Sequence, residues 1–154
     1  QRREMRYFWL SFKAIFVKDI VTELRARQVK VATAVELIHI ASLVHDDVID
    51  KASVRHNRPT INAKWRDDVS VIFGDYVYSK ALELISKCSN TALLSCMSEA
   101  MKTMCEGELI QVCQRGNVSL SKDSYLIMVK KKTASFFAAC CHLGTIVSNR
   151  NSEV

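Results

Sequence analysis

The sequence contains few residues that break or reverse a chain: one proline and four glycines in 154 residues. An all-β protein needs turn-forming residues at short intervals, so this scarcity argues against a sandwich or barrel and favours long helices. No repeat, low-complexity tract or CxxC pair is present, and the first residues lack the architecture of a signal peptide. We therefore expect a single all-α domain over residues 1–154, built as an antiparallel helix bundle.

Acidic residues are in the minority, with 16 Asp and Glu against 22 Lys and Arg, for a formal net charge of +6 at pH 7. This balance favours acidic partners. The basic residues are scattered apart from the run at 130–132, and no zinc-finger spacing or RNA-binding signature accompanies them. The sequence therefore predicts a phosphorylated substrate and no nucleic acid partner.

The cysteines stand mostly alone within apolar stretches, at Cys88, Cys96, Cys105, Cys113, Cys140 and Cys141. Free thiols fit the reducing cytosol or an organelle matrix better than a disulfide framework does, so we expect a soluble protein of such a compartment. The uncharged stretch 133–149 is marginal in length for crossing a bilayer and contains polar residues. It is predicted to be a buried core helix, with no transmembrane segment.

Apolar spacing predicts four main helices, over residues 31–50, 69–87, 91–113 and about 121–148, while residues 8–20 are compatible with another. The first is apolar almost all round, which predicts a place in the centre of the protein. Pro59 and its neighbours end that helical region. Ser121 is predicted to cap the last helix, with Asp123 in its first turn.

The most informative residues are three acids in the run HDDVID. Asp46 and Asp50 are four positions apart and project from one face of the predicted helix, with Asp47 about a quarter-turn away. Carboxylates so close together resist ionising simultaneously, so a cation is expected beside them, and hard oxygen ligands suit magnesium. Three chance acids at a solvated helix end would be an equally good explanation of the motif alone.

The residues after the acids favour a binding site. Arg55 follows within a short loop, and guanidinium groups near a carboxylate–magnesium cluster provide planar, charge-assisted donors to a diphosphate. The second acidic pair, Asp67-Asp68, lacks a third acid and is predicted to lie at a helix start, where negative charge is favourable.

The run VELIHIASLVHDDVIDKASVRHNRP (residues 35–59) resembles the first aspartate-rich region of trans-polyprenyl diphosphate synthases. The resemblance continues in FGDY (73–76), EGELIQ (106–111) and KTAS (132–135), which match GD(F/Y), EGExxQ and KTA(S/R) elements in the same order. It covers about residues 31–148. It implies the isoprenoid synthase type of helix bundle, represented here by its N-terminal half.

The resemblance also implies roles for individual residues. Asp46 and Asp50 match the principal Mg²⁺ ligands, with Asp47 in support. Arg55 and Lys132 match groups that bind the allylic diphosphate, and Thr133 lies where the family's helix is locally distorted and oxygens face a carbocation. Further substrate-binding positions are His39 and His56 for isopentenyl diphosphate, with Gln111, Arg3 and Arg6.

In such enzymes an allylic diphosphate loses pyrophosphate, and isopentenyl diphosphate attacks the resulting cation between apolar helix walls. Ala41 and Ser42 match the floor of the product tunnel. Because both are small, the resemblance implies a medium- or long-chain all-trans product. The family usually forms dimers, so a homodimer or a heterodimer with a related subunit is expected.

The sequence also departs from the family. A second aspartate-rich motif, FQxxDDxxD, is absent, and the N-terminal GKxxRP element is not recognisable, so Arg3 and Arg6 are carried over weakly. His56 and Asn57 replace the usual arginine and glycine. These departures keep open a non-catalytic or truncated relative that acts as a regulatory or structural subunit. A terpene cyclase shares the acidic motif, but the EGExxQ and KTAS elements speak against it.

Overall fold

The protein is described by a computed structural model that covers residues 2–148, with side chains from residue 22 onward. Its helices are α1 (Arg2–Ile49), α2 (Ile61–Trp65), α3 (Asp67–Ser86), α4 (Thr91–Cys113), α5 (Lys122–Val129) and α6 (Ser135–Ser148). A π-helical segment (Lys130–Ala134) joins α5 to α6, and a short antiparallel hairpin, β1 (Val54–Arg55) and β2 (Arg58–Pro59), follows α1. The prediction of an all-α fold is confirmed.

Helices α1 and α3 pack antiparallel. The end of α1 meets the beginning of α3, where the ring of His45 contacts the backbone of Val71 and the surface of Gly74. Along α1 the buried residues recur every three or four positions, so one stripe of this helix faces its neighbours. The stripe consists of Val31, Ala34, Ile38, Ala41, Val44 and Asp47.

Helices α4 and α6 form a second antiparallel pair. Cys96, near the start of α4, lies beside His142 in the second half of α6, and Gly107, near the end of α4, contacts the π-helical segment. One hydrophobic core joins the two pairs. It includes Ile38 from α1, Ala81 and Ile85 from α3, Leu93 and Met97 from α4, and Phe136 and Leu143 from α6.

Two predictions about burial need correction. The stretch predicted to be a buried core helix forms α6, but only Phe136, Leu143 and Val147 are buried, and Phe137 is 67% exposed. Helix α1 contacts α2, α3 and α6, yet Ile40 on its opposite side is exposed. Within the described residues, neighbouring helices cover only one side of α1 and one side of α6. An apolar sequence therefore did not imply that the whole helix is buried.

Helix α1 ends in a Schellman motif, although no glycine is available there. Lys51 takes the left-handed conformation (φ 52°), and its N–H donates to Val48 O while the N–H of Ala52 donates to Asp47 O. Asp50 is consequently the last residue before the chain turns. The hairpin then reverses through His56 and Asn57, both with positive φ, as a type I′ turn requires.

The last predicted helix is interrupted. Its beginning is confirmed, because Ser121 Oγ accepts from Ser124 N–H and Asp123 lies in the first turn. At Lys130–Ala134 the backbone hydrogen bonds span five residues instead of four, as in the bond from Ser135 N–H to Lys130 O. Within residues 2–148, none of the helices has both the length and the hydropathy that crossing a membrane requires.

Candidate functional site

Each acid of the HDDVID run is paired with a different basic residue. Lys132 from the π-helical segment approaches Asp46, Arg55 from β1 binds Asp47, and Arg115 from the turn after α4 binds Asp50. The partner oxygens lie 3.4, 2.8 and 2.7 Å from the side-chain nitrogens, in that order. Three chain segments therefore converge on the end of α1.

Asp46 shares Lys132 with a second carboxylate. Lys132 Nζ lies 2.5 Å from Glu108 Oε2 and 3.4 Å from Asp46 Oδ2. Burial raises the pKa of Asp46, Lys132 opposes this effect, and Glu108 adds to it. Burial tends to lower the pKa of Lys132, but the hydrogen bond with Glu108 and the charge of Asp46 raise it overall. Two partly buried carboxylates thus share one ammonium group and attract further positive charge.

Asp47 points away from solvent and holds the hairpin. Its side chain is 9% exposed, and both Nε and Nη2 of Arg55 approach Oδ1, at 2.9 and 2.8 Å. The loop is further tied down because Thr60 Oγ1 and Asn62 Nδ2 both donate to Ala52 O. These contacts hold Arg55 near Asp46 and Asp50. The hydrogen bond with Asp47 raises the pKa of Arg55 most, and the charges of Asp46 and Asp50 raise it further.

Two residues of the site were not predicted from the sequence. Glu108 belongs to the EGELIQ run but had no role assigned. Arg115 lies 65 positions from Asp50 along the chain, and its guanidinium group donates to Asp50 Oδ1 at 2.7 Å and to Ile49 O at 3.3 Å. No motif pointed to Arg115, because only the tertiary fold brings the turn after α4 to the end of α1.

Glycines set how closely the helices of the site approach one another. A β-carbon on Gly107 would lie 2.2 Å from Lys132 N, so α4 and the π-helical segment touch through their backbones. A β-carbon on Gly74 would lie 2.2 Å from His45 Nε2, beside the first acid. His45 in turn bonds Val71 O at 3.1 Å and lies 3.5 Å from Asp75.

The remaining predicted residues are distributed around this cluster. Gln111 Nε2 donates to Glu108 Oε1 at 3.4 Å, so it reaches the cluster indirectly. His39 lies two turns earlier on α1 and stacks on Phe136, with ring centroids 6.4 Å apart. Thr133 and His56 are exposed, the latter at the tip of the hairpin. Arg3 and Arg6 fall outside the residues whose side chains the structure describes.

The two positions predicted to form the floor of the product tunnel differ in their surroundings. Ala41 is fully buried (0% exposed). Ser42 is half-buried, and its hydroxyl donates to His39 O at 2.8 Å, within the same helix. A larger side chain at Ser42 would therefore meet fewer packed atoms than one at Ala41.

The donor set suits a divalent cation with partly open coordination. Among the described residues no three acidic, histidine or cysteine side chains enclose a metal by themselves. Asp46 and Asp50 nevertheless present carboxylates one turn apart, and each is only partly exposed (21% and 43%). Mg²⁺ typically takes one or two protein carboxylates and completes its octahedron with water and phosphate oxygens, so these residues fit it.

Comparison with known proteins agrees with this geometry. The family profile described as Polyprenyl synthetase matches residues 5–154. Heptaprenyl diphosphate synthase component 2 of Bacillus subtilis is 37% identical over 124 residues, which cover 80% of this chain and 36% of that protein. Octaprenyl diphosphate synthase of Escherichia coli is 28% identical over 158 residues, which cover 97% of this chain and 49% of that protein.

Solved structures show the same fold. Octaprenyl pyrophosphate synthase of Helicobacter pylori superposes with a TM-score of 0.79 at 34% identity, over 84% of this chain and 42% of that one. A polyprenyl synthase of Caulobacter crescentus superposes with a TM-score of 0.78 at 31% identity, over 83% of this chain and 41% of that one. It was solved in complex with calcium and isoprenyl diphosphate.

An all-α bundle with acids and bases gathered at the end of one helix is the architecture of an isoprenoid synthase. The chain belongs to the polyprenyl synthetase family. It spans less than half the length of the curated relatives named above.

Proposed function

We propose that this chain is the diphosphate- and metal-binding half of a trans-prenyltransferase. The reaction condenses isopentenyl diphosphate with an allylic diphosphate to give a medium- or long-chain all-trans polyprenyl diphosphate. The observation that carries the proposal is the cluster in which Asp46, Asp47 and Asp50 each meet a basic side chain at the end of α1. Such a mixture of carboxylates and fixed cations suits a ligand made of metal ions and diphosphate.

Mg²⁺ is the proposed cofactor, with Asp46 and Asp50 as its ligands and Asp47 in support through Arg55. When bound, it would neutralise the charge that develops on the departing pyrophosphate. The Caulobacter relative was solved with calcium and isoprenyl diphosphate, which supports a divalent cation beside a diphosphate in this family.

The chain's own residues would bind and orient the allylic diphosphate. Lys132 beside Asp46 and Arg55 beside Asp47 carry positive charge and can donate to phosphate oxygens as these approach. The π-helical segment leaves the hydroxyl of Thr133 exposed beside Lys132, so we assign it to stabilising the allylic cation. The neighbouring apolar helix surfaces would exclude water from that cation.

Isopentenyl diphosphate is proposed to contact His39 and His56. His39 is exposed on the same side of α1 as Asp46, two turns away. His56 lies at the tip of the hairpin that carries Arg55, so its imidazole replaces a permanently charged guanidinium group. Because an imidazole has fewer donors than a guanidinium group, we expect weaker binding of isopentenyl diphosphate than with arginine there. Gln111 would act through Glu108, and Arg3 and Arg6 remain weak candidates.

A complete active site needs a second set of acids, and we propose that a further polypeptide region or a related subunit supplies it. The Bacillus relative is named as component 2 of its synthase, which supports a heterodimer for this chain; a homodimer is the other arrangement. We expect the isolated chain to bind ligand but to turn over little substrate. The six free thiols suit a reducing compartment, as proposed from the sequence.

Ligand binding by the isolated chain tests the assignment. Titration with a bisphosphonate diphosphate mimic should show binding that requires Mg²⁺ and is lost in Asp46→Asn. The matched control is Asp67→Asn, which changes an exposed acid outside the cluster and should bind normally. Binding that is unaffected by Asp46→Asn would rule out this site. Strong binding with no turnover, even with a complementing subunit, would favour the regulatory alternative.

A further inference from the structure

We propose that Arg115 is an additional diphosphate-binding residue, which Asp50 holds until a divalent cation takes over that carboxylate. The inference rests on the proposed function, because it assumes that metal and diphosphate meet at the end of α1. Nothing in the acidic motif or its neighbours in sequence identifies Arg115.

The contact of Arg115 has the geometry of a replaceable partner. Nη2 donates to Asp50 Oδ1 at 2.7 Å and Nη1 to Ile49 O at 3.3 Å, and the two side chains are 53% and 43% exposed. The Arg55–Asp47 pair differs, since Asp47 is 9% exposed and its loop is fixed by further hydrogen bonds. Exposed ion pairs are weak and exchange easily, whereas a buried one is costly to break.

The electrostatics explain why Asp50 needs a cation in the absence of metal. Asp50 follows the last turn of α1, where carbonyl oxygens carry the negative end of the helix dipole. Asp46 lies one turn earlier on α1 and adds further negative charge. Arg115 neutralises this region by binding both the carboxylate of Asp50 and the carbonyl of Ile49.

A divalent cation on Asp50 would make Arg115 favour a diphosphate over the Asp50 carboxylate. A cation held by Asp50 would repel the guanidinium group, and a diphosphate bound there would offer new acceptors close by. Arginine matches phosphate with two parallel donors, so the released side chain gains a strong partner. Metal and diphosphate would then bind with positive coupling, and the coupling must act equally on both ligands.

The competing explanation is that Arg115 only caps the end of α1. Removing a cap would disturb the acids and weaken the binding of metal and of diphosphate together. Removing a competitor would instead strengthen metal binding and weaken diphosphate binding. The two explanations thus differ in the direction of the change in metal affinity.

The experiment measures two affinities in the full chain: Mn²⁺ alone, and inorganic pyrophosphate in the presence of saturating Mn²⁺. Arg115→Gln should bind Mn²⁺ about threefold more tightly, as expected for loss of an exposed ion pair. It should bind pyrophosphate about tenfold more weakly, as expected for loss of a charge-assisted contact. Arg25→Gln removes the same charge about 37 Å away along α1 and should change neither affinity.

Unchanged or weaker Mn²⁺ binding in Arg115→Gln would overturn the proposal, as would unchanged pyrophosphate binding. If that variant loses its helical circular dichroism, Arg115→Lys decides instead, because lysine keeps the charge but cannot make the two-pronged contact. Pyrophosphate affinity equal to wild type in Arg115→Lys would then contradict the proposal. Failure of the wild-type chain to bind Mn²⁺ or pyrophosphate would contradict the proposed function, which is a different outcome.

Discussion

Gly107 and Lys132 are in backbone contact: a β-carbon on the glycine would lie 2.2 Å from the backbone nitrogen of the lysine. A glycine inside a helix costs about 1 kcal/mol relative to alanine. Here the absence of a side chain allows α4 and the π-helical segment to meet. Because the side chain of Lys132 begins at this contact, the contact sets the position of its ammonium group between Asp46 and Glu108.

We predict that Gly107→Ala destabilises the protein despite its better helix propensity. The added methyl group meets backbone atoms that cannot rotate away, and overpacking of this kind costs about 1–3 kcal/mol. Urea unfolding measures the change. The matched control is Gly144→Ala in α6, where none of the other described residues comes within 4 Å of the new β-carbon and stability should be equal or higher. Equal effects of the two substitutions would show that the close contact is not limiting.

The buried ion pair gives a second prediction. Arg55→Met should lower the free energy of unfolding by about 2 kcal/mol, because Asp47 is left buried without its counter-charge. Adding Asp47→Asn should restore at least about 1 kcal/mol of this loss, since the uncompensated charge is then removed. Arg66→Met, which breaks the exposed pair with Asp68, should change stability by less than about 0.5 kcal/mol. Simple additivity of the two site substitutions would contradict this account of Asp47.

Tyr78 predicts how stability changes in alkaline solution. Burial, followed by the negative charges of Cys105, Asp46 and Asp75, raises its pKa from 10.0 to about 12. Between these values the unfolded chain has released the phenolic proton and the folded chain has kept it, so stability falls as pH rises from 10 to 12. Ultraviolet titration should show one phenol ionising near pH 12 that is missing in Tyr78→Phe. That variant should also lose less stability over this interval; an identical loss would exclude Tyr78 as its cause.

The tunnel positions predict product length in an assembly that turns over. Ser42→Phe should shorten the main product, because the family resemblance puts this half-buried position at the floor of the proposed tunnel. Ser42→Ala removes only the hydrogen bond to His39 O and should leave the length unchanged. Ala41→Phe should shorten the product too, but Ala41 is fully buried, so overpacking accompanies that change. Mass spectrometry of extracted products distinguishes these outcomes, and constant length in both phenylalanine variants would remove the tunnel assignment.

Several helix ends were predictable from local chemistry, although α1 begins at Arg2 and not near residue 31. Helix α4 begins and ends at the predicted residues, 91 and 113, and Ser121 caps α5 as expected. These features depend on hydrogen bonds and side chains within a few positions, which a sequence displays directly. The break at Lys130–Ala134 was expected only through the family resemblance, since the lysine run itself carries no signal for a π-helical turn.

By itself, the sequence determined that the chain is helical, that it belongs with the prenyl synthases, and which three acids to expect at the centre of the candidate site. The tertiary structure decided how those acids are neutralised. It buried Asp47 against Arg55, placed Lys132 between two carboxylates, and brought Arg115 to Asp50 from 65 positions away. The physical reason is range: a motif encodes side chains that neighbour one another on a helix, whereas charge compensation depends on helices packed together across the fold.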